Sequence, residues 1–518
     1  MSYSSVFKSV ATVTVLSVIT RTLAFLFKIY LSRAVGAEIL GLYQICLSVF
    51  FLFISLTSGG ITTVLSRKIA ESDALGDKSR SLAYLTASLA IGMTAAAISV
   101  GALYLFAPYA TVLISDERAL PLLRIMIPAL VSTTFYIIVR GWFWGTKQFG
   151  AFSLTELIEE ILRILCTLLL VSGVVSGISG ATGIALAFTV SDVIVALIIF
   201  LIFIRKGGRF RKFDNIGDIL RPSAPLTVMR VFGSLVGTAL SLILPARLIA
   251  GGMSVADATA SVGRIAGMAN PLLFAPNAII GSLAIVLIPE MSADNVRGNY
   301  ASLNRRLDAG ISFALLVSGA FLALYAALGE ELTVMLYDDS QSGLYLAACA
   351  PLLLLMPINQ IVTSTLNSVG MEKESFYTFT IGTIFMIAAC YILPTYIGIY
   401  AVIVANALCL AIEVAGNVYL LNKKIKLKFG FLKTLFLIAV FVFPCKLLVD
   451  WIYNITARVN GILALICAGS AGMAAYGALC YASGLVDVDM FLSRVRKKKA
   501  QKTAPAVNGG SAESARNG

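Results

Sequence analysis

Long apolar runs alternate with short polar stretches along the whole chain. The runs fall at 9–31, 42–65, 82–106, 121–145, 155–176, 181–204, 222–247, 262–288, 307–328, 344–367, 376–396, 399–421, 430–450 and 460–484. About 20 consecutive apolar residues make a helix that crosses the ~30 Å hydrocarbon core of a bilayer, whereas a barrel strand needs about 10 alternating ones. The pattern predicts fourteen transmembrane helices. Runs 222–247 and 262–288 are the least regular, being interrupted by proline, glycine and arginine. The first run follows a single Lys8 and is too long for a signal-peptide core, so it is expected to stay as a span.

The polar stretches carry a second pattern. Every second loop is basic: Arg67, Lys68, Lys78 and Arg80; Arg205, Lys206, Arg209, Arg211 and Lys212; Arg297, Arg305 and Arg306; Lys423, Lys424, Lys426 and Lys428. The loops between them carry little charge or are acidic, with Asp116 and Glu117, then Glu330, Glu331, Asp338 and Asp339. Basic loops face the cytoplasm. Both termini are therefore expected there, in a multi-pass membrane protein. The net charge of +13 then follows from topology, and a nucleic-acid partner is not expected.

Composition agrees and excludes much chemistry. The chain is 58% hydrophobic and 13% charged, with mean hydropathy +0.90; soluble domains are about 25% charged. There is no histidine, which removes the commonest general base and metal ligand. The eight cysteines are scattered through apolar runs without zinc spacing. No catalytic constellation, metal site or cofactor is expected.

Four ordered pairs point to an internal repeat. Gly76 and Gly298, Pro128 and Pro351, Gly145 and Gly370, and Asp192 and Glu413 are each separated by about 221–225 positions. The repeat unit is six helices, an even number, so the halves insert the same way up. The expected fold is all-α, with a six-helix lobe over 1–206, a parallel six-helix lobe over 207–428, helices 13 and 14 over 429–486, and a basic, disordered cytoplasmic tail over 487–518.

Charges inside the apolar runs then suggest a cargo. Arg21 and Lys28 are seven positions apart, nearly two helical turns, and share a face. Arg230 and Arg264 lie in runs seven and eight. A charge in mid-bilayer costs roughly 2.5–3.5 kcal/mol on insertion scales and usually faces a cavity or the bundle interior. Arginine without matched acids attracts an anion, and its planar fork suits phosphate oxygens. Lys28 could instead snorkel to the interface, as could Arg124, Arg140 and Arg247 nearer helix ends. Glu159 and Arg163 stand at i,i+4 and read as a structural ion pair. Asp192 and Glu413 are read equally as sites for a coupling ion or as structural acids.

The stretch "TRTLAFLFKIYLSRAVGAEILGLYQ" resembles the first helix of the stage V sporulation protein B and polysaccharide-export flippases. These belong to the multidrug/oligosaccharidyl-lipid/polysaccharide exporter superfamily and are related to the lipid II flippase of peptidoglycan synthesis. Against the pattern S-R-x-L-G-F-x-x-R-x-P-L-A-R-x-x-G-A, Arg21, Phe25, Arg33, Gly36 and Ala37 match, and Lys28 replaces the second arginine. Ala24 and Tyr30 stand where glycine and proline are usual, so a straighter helix is expected. "SLTSGGITTVLSRKIAE", "RGWFWGTKQFGAFSLTELIEEILR" and "RLIAGGMSVADATASVGRIAGMANPLLFAPNAIIGSLAIVLIPEMS" resemble later blocks of the family.

The resemblance implies a non-enzymatic flippase for an undecaprenyl-diphosphate-linked saccharide, in peptidoglycan or polysaccharide synthesis or in sporulation. Arg21 and Arg264 would stand at two of the family's cavity positions. Energy would come from the membrane potential, Na+ or H+. A monomer working beside the cell-wall synthesis machinery and membrane lipids is expected. A cation-coupled multidrug exporter is the first rival; it would want acids in the cavity, and runs one, seven and eight lack them. A membrane-embedded transferase is the second; it would want a catalytic motif, and none is present.

Overall fold

The computed structural model describes residues 3–106, 114–171, 180–213, 215–427, 430–458 and 460–485. The basic tail lies outside the described residues. Among the described residues the secondary structure is helical throughout, as lipid demands, because a helix satisfies its own backbone hydrogen bonds. Large apolar side chains such as Phe436, Phe443, Leu447 and Trp451 point outward, which suits lipid rather than water.

The N-terminal half comprises α1 (Tyr3–Ser58), α2 (Ile61–Ala74), α3 (Lys78–Phe106), α4 (Ala119–Met126), α5 (Ala129–Gly145), α6 (Phe149–Val171) and α7 (Gly180–Arg205). The second half runs through α8 (Gly217–Ala250), α9 (Val255–Val262), a π-helical segment (Gly263–Ala269), α10 (Asn270–Leu273), α11 (Ala275–Val296) and α12 (Tyr300–Tyr337). It continues with α13 (Ser340–Cys349), a 3-10 segment (Ala350–Leu354), α14 (Met356–Ser368), α15 (Glu372–Ile392), α16 (Pro394–Ile397) and α17 (Ala401–Ile425). The last two helices, α18 (Phe431–Thr456) and α19 (Gly461–Ala482), pack together against α12.

Among the described residues, by length and composition, ten helices can cross a membrane, or up to twelve when each of two bent pairs is one span. The expected fourteen differ for two reasons. Val13–Ala74 holds two of the predicted runs in one stretch, and Gly36 (φ 75°) breaks the helix between them. The α6 run carries Glu156, Glu159, Glu160 and Arg163, more charge than an apolar span holds.

The repeat is visible in backbone geometry. Gly76 and Gly298 both have positive φ and close equivalent helix ends, with Asp77 N donating to Ser72 O and Asn299 N to Asp294 O. Pro128 and Pro351 mark the two bent pairs, α4–α5 (47°) and α13–α14 (41°). One expected pair shifts. Gly370 (φ 76°) matches Lys147 (φ 58°) rather than Gly145. Gln148 N donates to Phe143 O, and Met371 N to Leu366 O, in the same cap. Gly145 is instead a small residue under steric pressure: a Cβ there would sit 2.8 Å from Ser66 O.

Candidate functional site

At the end of the bundle that carries the acidic loops, the halves are clasped. The second arm of α1 crosses α9 and the π segment through two glycines about 222 positions apart. A Cβ on Gly41 would lie 2.0 Å from Thr259 O, and one on Gly263 would lie 2.1 Å from Ala37 O. The contacts are reciprocal, with each glycine meeting the residue four before its counterpart. Backbones approach this closely only where side chains are absent.

Ion pairs ring the crossing. Arg118 bridges Glu38 (2.6 Å) and Asp116 (2.7 Å), and Asp116 also accepts a hydrogen bond from the Thr259 hydroxyl (2.9 Å). Burial pushes the Asp116 carboxyl up, but the bonds from Arg118 and Thr259 outweigh it and hold it below the usual carboxylate range. Arg264 donates to Asp339 at 2.9 Å. Arg33 Nε donates to Leu336 O at 2.8 Å, and its fork also reaches Met335 O, so it caps the end of α12. A single buried cluster joins Leu40 and Ile45 with Ile265, Met268, Tyr337 and Leu346 across both halves.

At the basic-loop end the cores separate. One cluster holds Leu65, Ile69, Leu85, Ile138, Phe143 and Phe203 of the first half; another holds Leu303, Leu307, Ile361, Leu366 and Leu421 of the second. Among the described residues α8 touches both halves, packing on α1 and α2 of the first and on α15 of the second. Its bonds to the first half are mostly hydroxyl contacts: Thr238 to Ser48 O (2.8 Å), Ser234 with Ser55 (2.6 Å), and Gly60 N to Thr227 (3.1 Å). Such interhelical bonds in membranes average about 0.6 kcal/mol, and burial of Val236, Leu244 and Leu248 in the shared cluster adds to them.

The four expected cavity cations have different surroundings. Arg21 is exposed and makes no hydrogen bond or ion pair among the described residues. Lys28, also exposed, lies within electrostatic range of Glu160 on α6. Arg230 reaches across to Thr63 Oγ1 at 3.1 Å. Arg264, expected in the cavity, is instead ion-paired with Asp339 in the clasp. Its partner lies in a loop 75 positions away, and spacing within its own run cannot reveal it.

The two repeat-related acids occupy equivalent places with different partners. Asp192 on α7 is buried, accepts from Thr133 on α5, and pairs with Arg163 (3.2 Å), which also holds Glu159 (2.7 Å). Glu413 on α17 accepts from Asn359 on α14 (2.5 Å) and from the Cys409 thiol (3.2 Å). Among the described residues no cation bonds Glu413. Removing one member of a buried ion pair costs about 3–5 kcal/mol. Arg163→Met is therefore expected to cause severe loss of monodisperse protein in detergent, whereas Glu413→Gln should leave the melting temperature nearly unchanged.

Among the described residues no group of histidine, cysteine or carboxylate side chains is placed to hold a metal. A multi-span, all-α membrane protein with repeat-related halves is the class that this fold and site define. The chain belongs to the polysaccharide biosynthesis protein family, whose model matches residues 6–293. It is similar to stage V sporulation protein B of Bacillus subtilis (strain 168), 24% identical over 393 residues, covering 73% of this chain and 75% of that protein. It is also similar to the lipid II flippase MurJ of the same organism, 22% identical over 408 residues, covering 71% and 73%. Its fold matches a structure of the lipid II flippase MurJ in an inward closed conformation, with TM-score 0.70, 15% identity, and coverage of 92% and 99%. It also matches an inward-facing multidrug resistance MATE family transporter of the MOP superfamily, with TM-score 0.66, 16% identity, and coverage of 83% and 98%.

Proposed function

We propose that this protein is a flippase that carries an undecaprenyl-diphosphate-linked saccharide across the cytoplasmic membrane by alternating access between lobes 1–206 and 207–428. Arg21 carries the reading: it is a membrane-embedded guanidinium with no acid partner among the described residues. The names of the relatives, a lipid II flippase and a sporulation protein of the same family, support it. The clasp at one end and the separate cores at the other support an alternating-access cycle. Loop charge puts the clasp outside and the open end in the cytoplasm. The diphosphate would meet Arg21, Lys28 and Arg230 while the polyprenyl tail stays in lipid. The rival reading, export of cationic drugs, would want carboxylates beside the cavity, and those of the first half, Glu156, Glu159, Glu160 and Asp192, share Arg140 and Arg163.

Mass spectrometry of lipids extracted from the purified protein tests the substrate. Bound polyprenyl diphosphates are expected, and their absence from protein that binds cationic drugs would favour the exporter. Orientation is tested by thiol labelling of intact cells: Glu117→Cys should react with an impermeant reagent and Lys206→Cys should not. Glu413, which no cation bonds among the described residues, is the place for a coupling proton or Na+. Transport by Glu413→Gln that kept its full dependence on the ion gradient would assign coupling elsewhere.

A further inference from the structure

A pocket of about 320 Å³ lies near the basic-loop end of the first half, between α2, α5 and α6. Thr62, Thr63 and Ser66 line one wall, and Arg140, Trp144 and Phe152 the other. Arg140 is fixed from three sides. It bonds Glu156 at 3.0 Å, and its guanidinium lies over the rings of Phe152 (4.1 Å) and Tyr136 (5.3 Å). Its Nε–H is nevertheless buried without a hydrogen-bond partner among the described residues. Buried donors of this kind usually have one. Trp144 packs edgewise on Phe149 and Phe152, yet it remains 46% exposed. Arg230 of the second half touches this wall through Thr63.

We infer that this pocket is the subsite for a sugar ring of the lipid-linked cargo. The inference rests on the flippase reading and deepens it. The charges here compensate each other, Arg140 against Glu156, so the pocket offers little to a bare phosphate. It offers an aromatic surface and three hydroxyls, with the unsatisfied Arg140 N–H in its wall. A pyranose presents a C–H face to stack on such a ring and hydroxyls that both donate and accept. Pockets of this kind, largely apolar with a few placed polar groups, fix the orientation of small ligands. The uncompensated charge lies next door: Arg230, bonded to the Thr63 hydroxyl, places a cation for phosphate at the edge of the sugar subsite. Sugar and phosphate are neighbours in the cargo, and their binding groups are neighbours here.

Binding to the full-length protein in nanodiscs separates the possibilities, with undecaprenyl diphosphate and undecaprenyl-diphosphate N-acetylglucosamine as probes. Wild type should bind the sugar-bearing lipid more tightly. Trp144→Ala should weaken that binding about ten-fold, the size of one lost contact of this kind, and leave undecaprenyl diphosphate unchanged. Trp144→Phe should retain most of the preference. Thr62→Val, which keeps shape and removes a lining hydroxyl that does not hold Arg230, should reduce the preference even if Trp144→Ala folds poorly. A wild type that binds both probes equally, or a sugar preference untouched by Trp144→Ala and Thr62→Val, overturns the subsite and leaves Trp144 as an interfacial anchor. A wild type that binds neither probe overturns the flippase reading itself.

Discussion

Arg21→Ala is expected to abolish complementation of a flippase-deficient strain while membrane levels of the protein hold. Arg21 sits well inside the long first arm of α1, with nothing described bonded to it. If it met only lipid, alanine would relieve an insertion cost of roughly 2.5–3.5 kcal/mol, and the variant would be at least as stable and as active. If it grips a diphosphate, alanine removes a charge-assisted contact of about 1.5–3 kcal/mol, or roughly ten- to a hundred-fold in affinity. Arg21→Lys keeps the charge but loses the bidentate fork, so partial rescue is expected. Growth of the complemented strain and immunoblotting of membranes read the two quantities separately. Full activity in Arg21→Ala would show that the charge serves something other than cargo.

Gly41→Val is expected to reduce transport more than ten-fold by a different route, because the clasp cannot close around a side chain. Its Cβ would lie 2.0 Å from Thr259 O and 3.2 Å from Gly263 N, both backbone atoms that no rotamer change can move. Each half keeps its own core of buried apolar residues, so folding and insertion should survive. The halves would stay parted at the outer end. A cysteine at Ser234, on the α8 face that meets α1, should then become more reactive to impermeant reagents added outside. Gly263→Val should behave alike, since the contact is reciprocal. Normal transport by either variant would mean that this crossing does not open and close. Gly36→Ala tests a separate point: there the space is open, and φ 75° is what a side chain resists.

Much of the architecture is legible from the chain alone. Hydropathy is a local property, and the bilayer converts a run of about 20 apolar residues into a helix whatever its neighbours are. The predicted runs accordingly fall on helices, α6 included, although its charges disguise it. The repeat also shows in sequence, because capping glycines such as Gly76 and Gly298 and bend prolines such as Pro128 and Pro351 act on their own few residues. The Glu159–Arg163 pair is one helical turn long, so spacing sufficed to find it.

What tertiary structure alone decided concerns partners far apart in the chain. Arg264 looked free until Asp339 came beside it, and Arg163 gained Asp192 from another helix. Gly41 and Gly263 carry no mark in sequence that distinguishes them from other glycines in apolar runs; only the crossing of α1 with the π segment gives them a role. The Trp144 pocket needs three helices to exist. Insertion free energy is summed along one helix at a time, so the sequence by itself determines which segments enter the membrane. The pairing of charges, the close approach of backbones and the shape of a cavity depend on distances between helices, and those are set only when the helices pack.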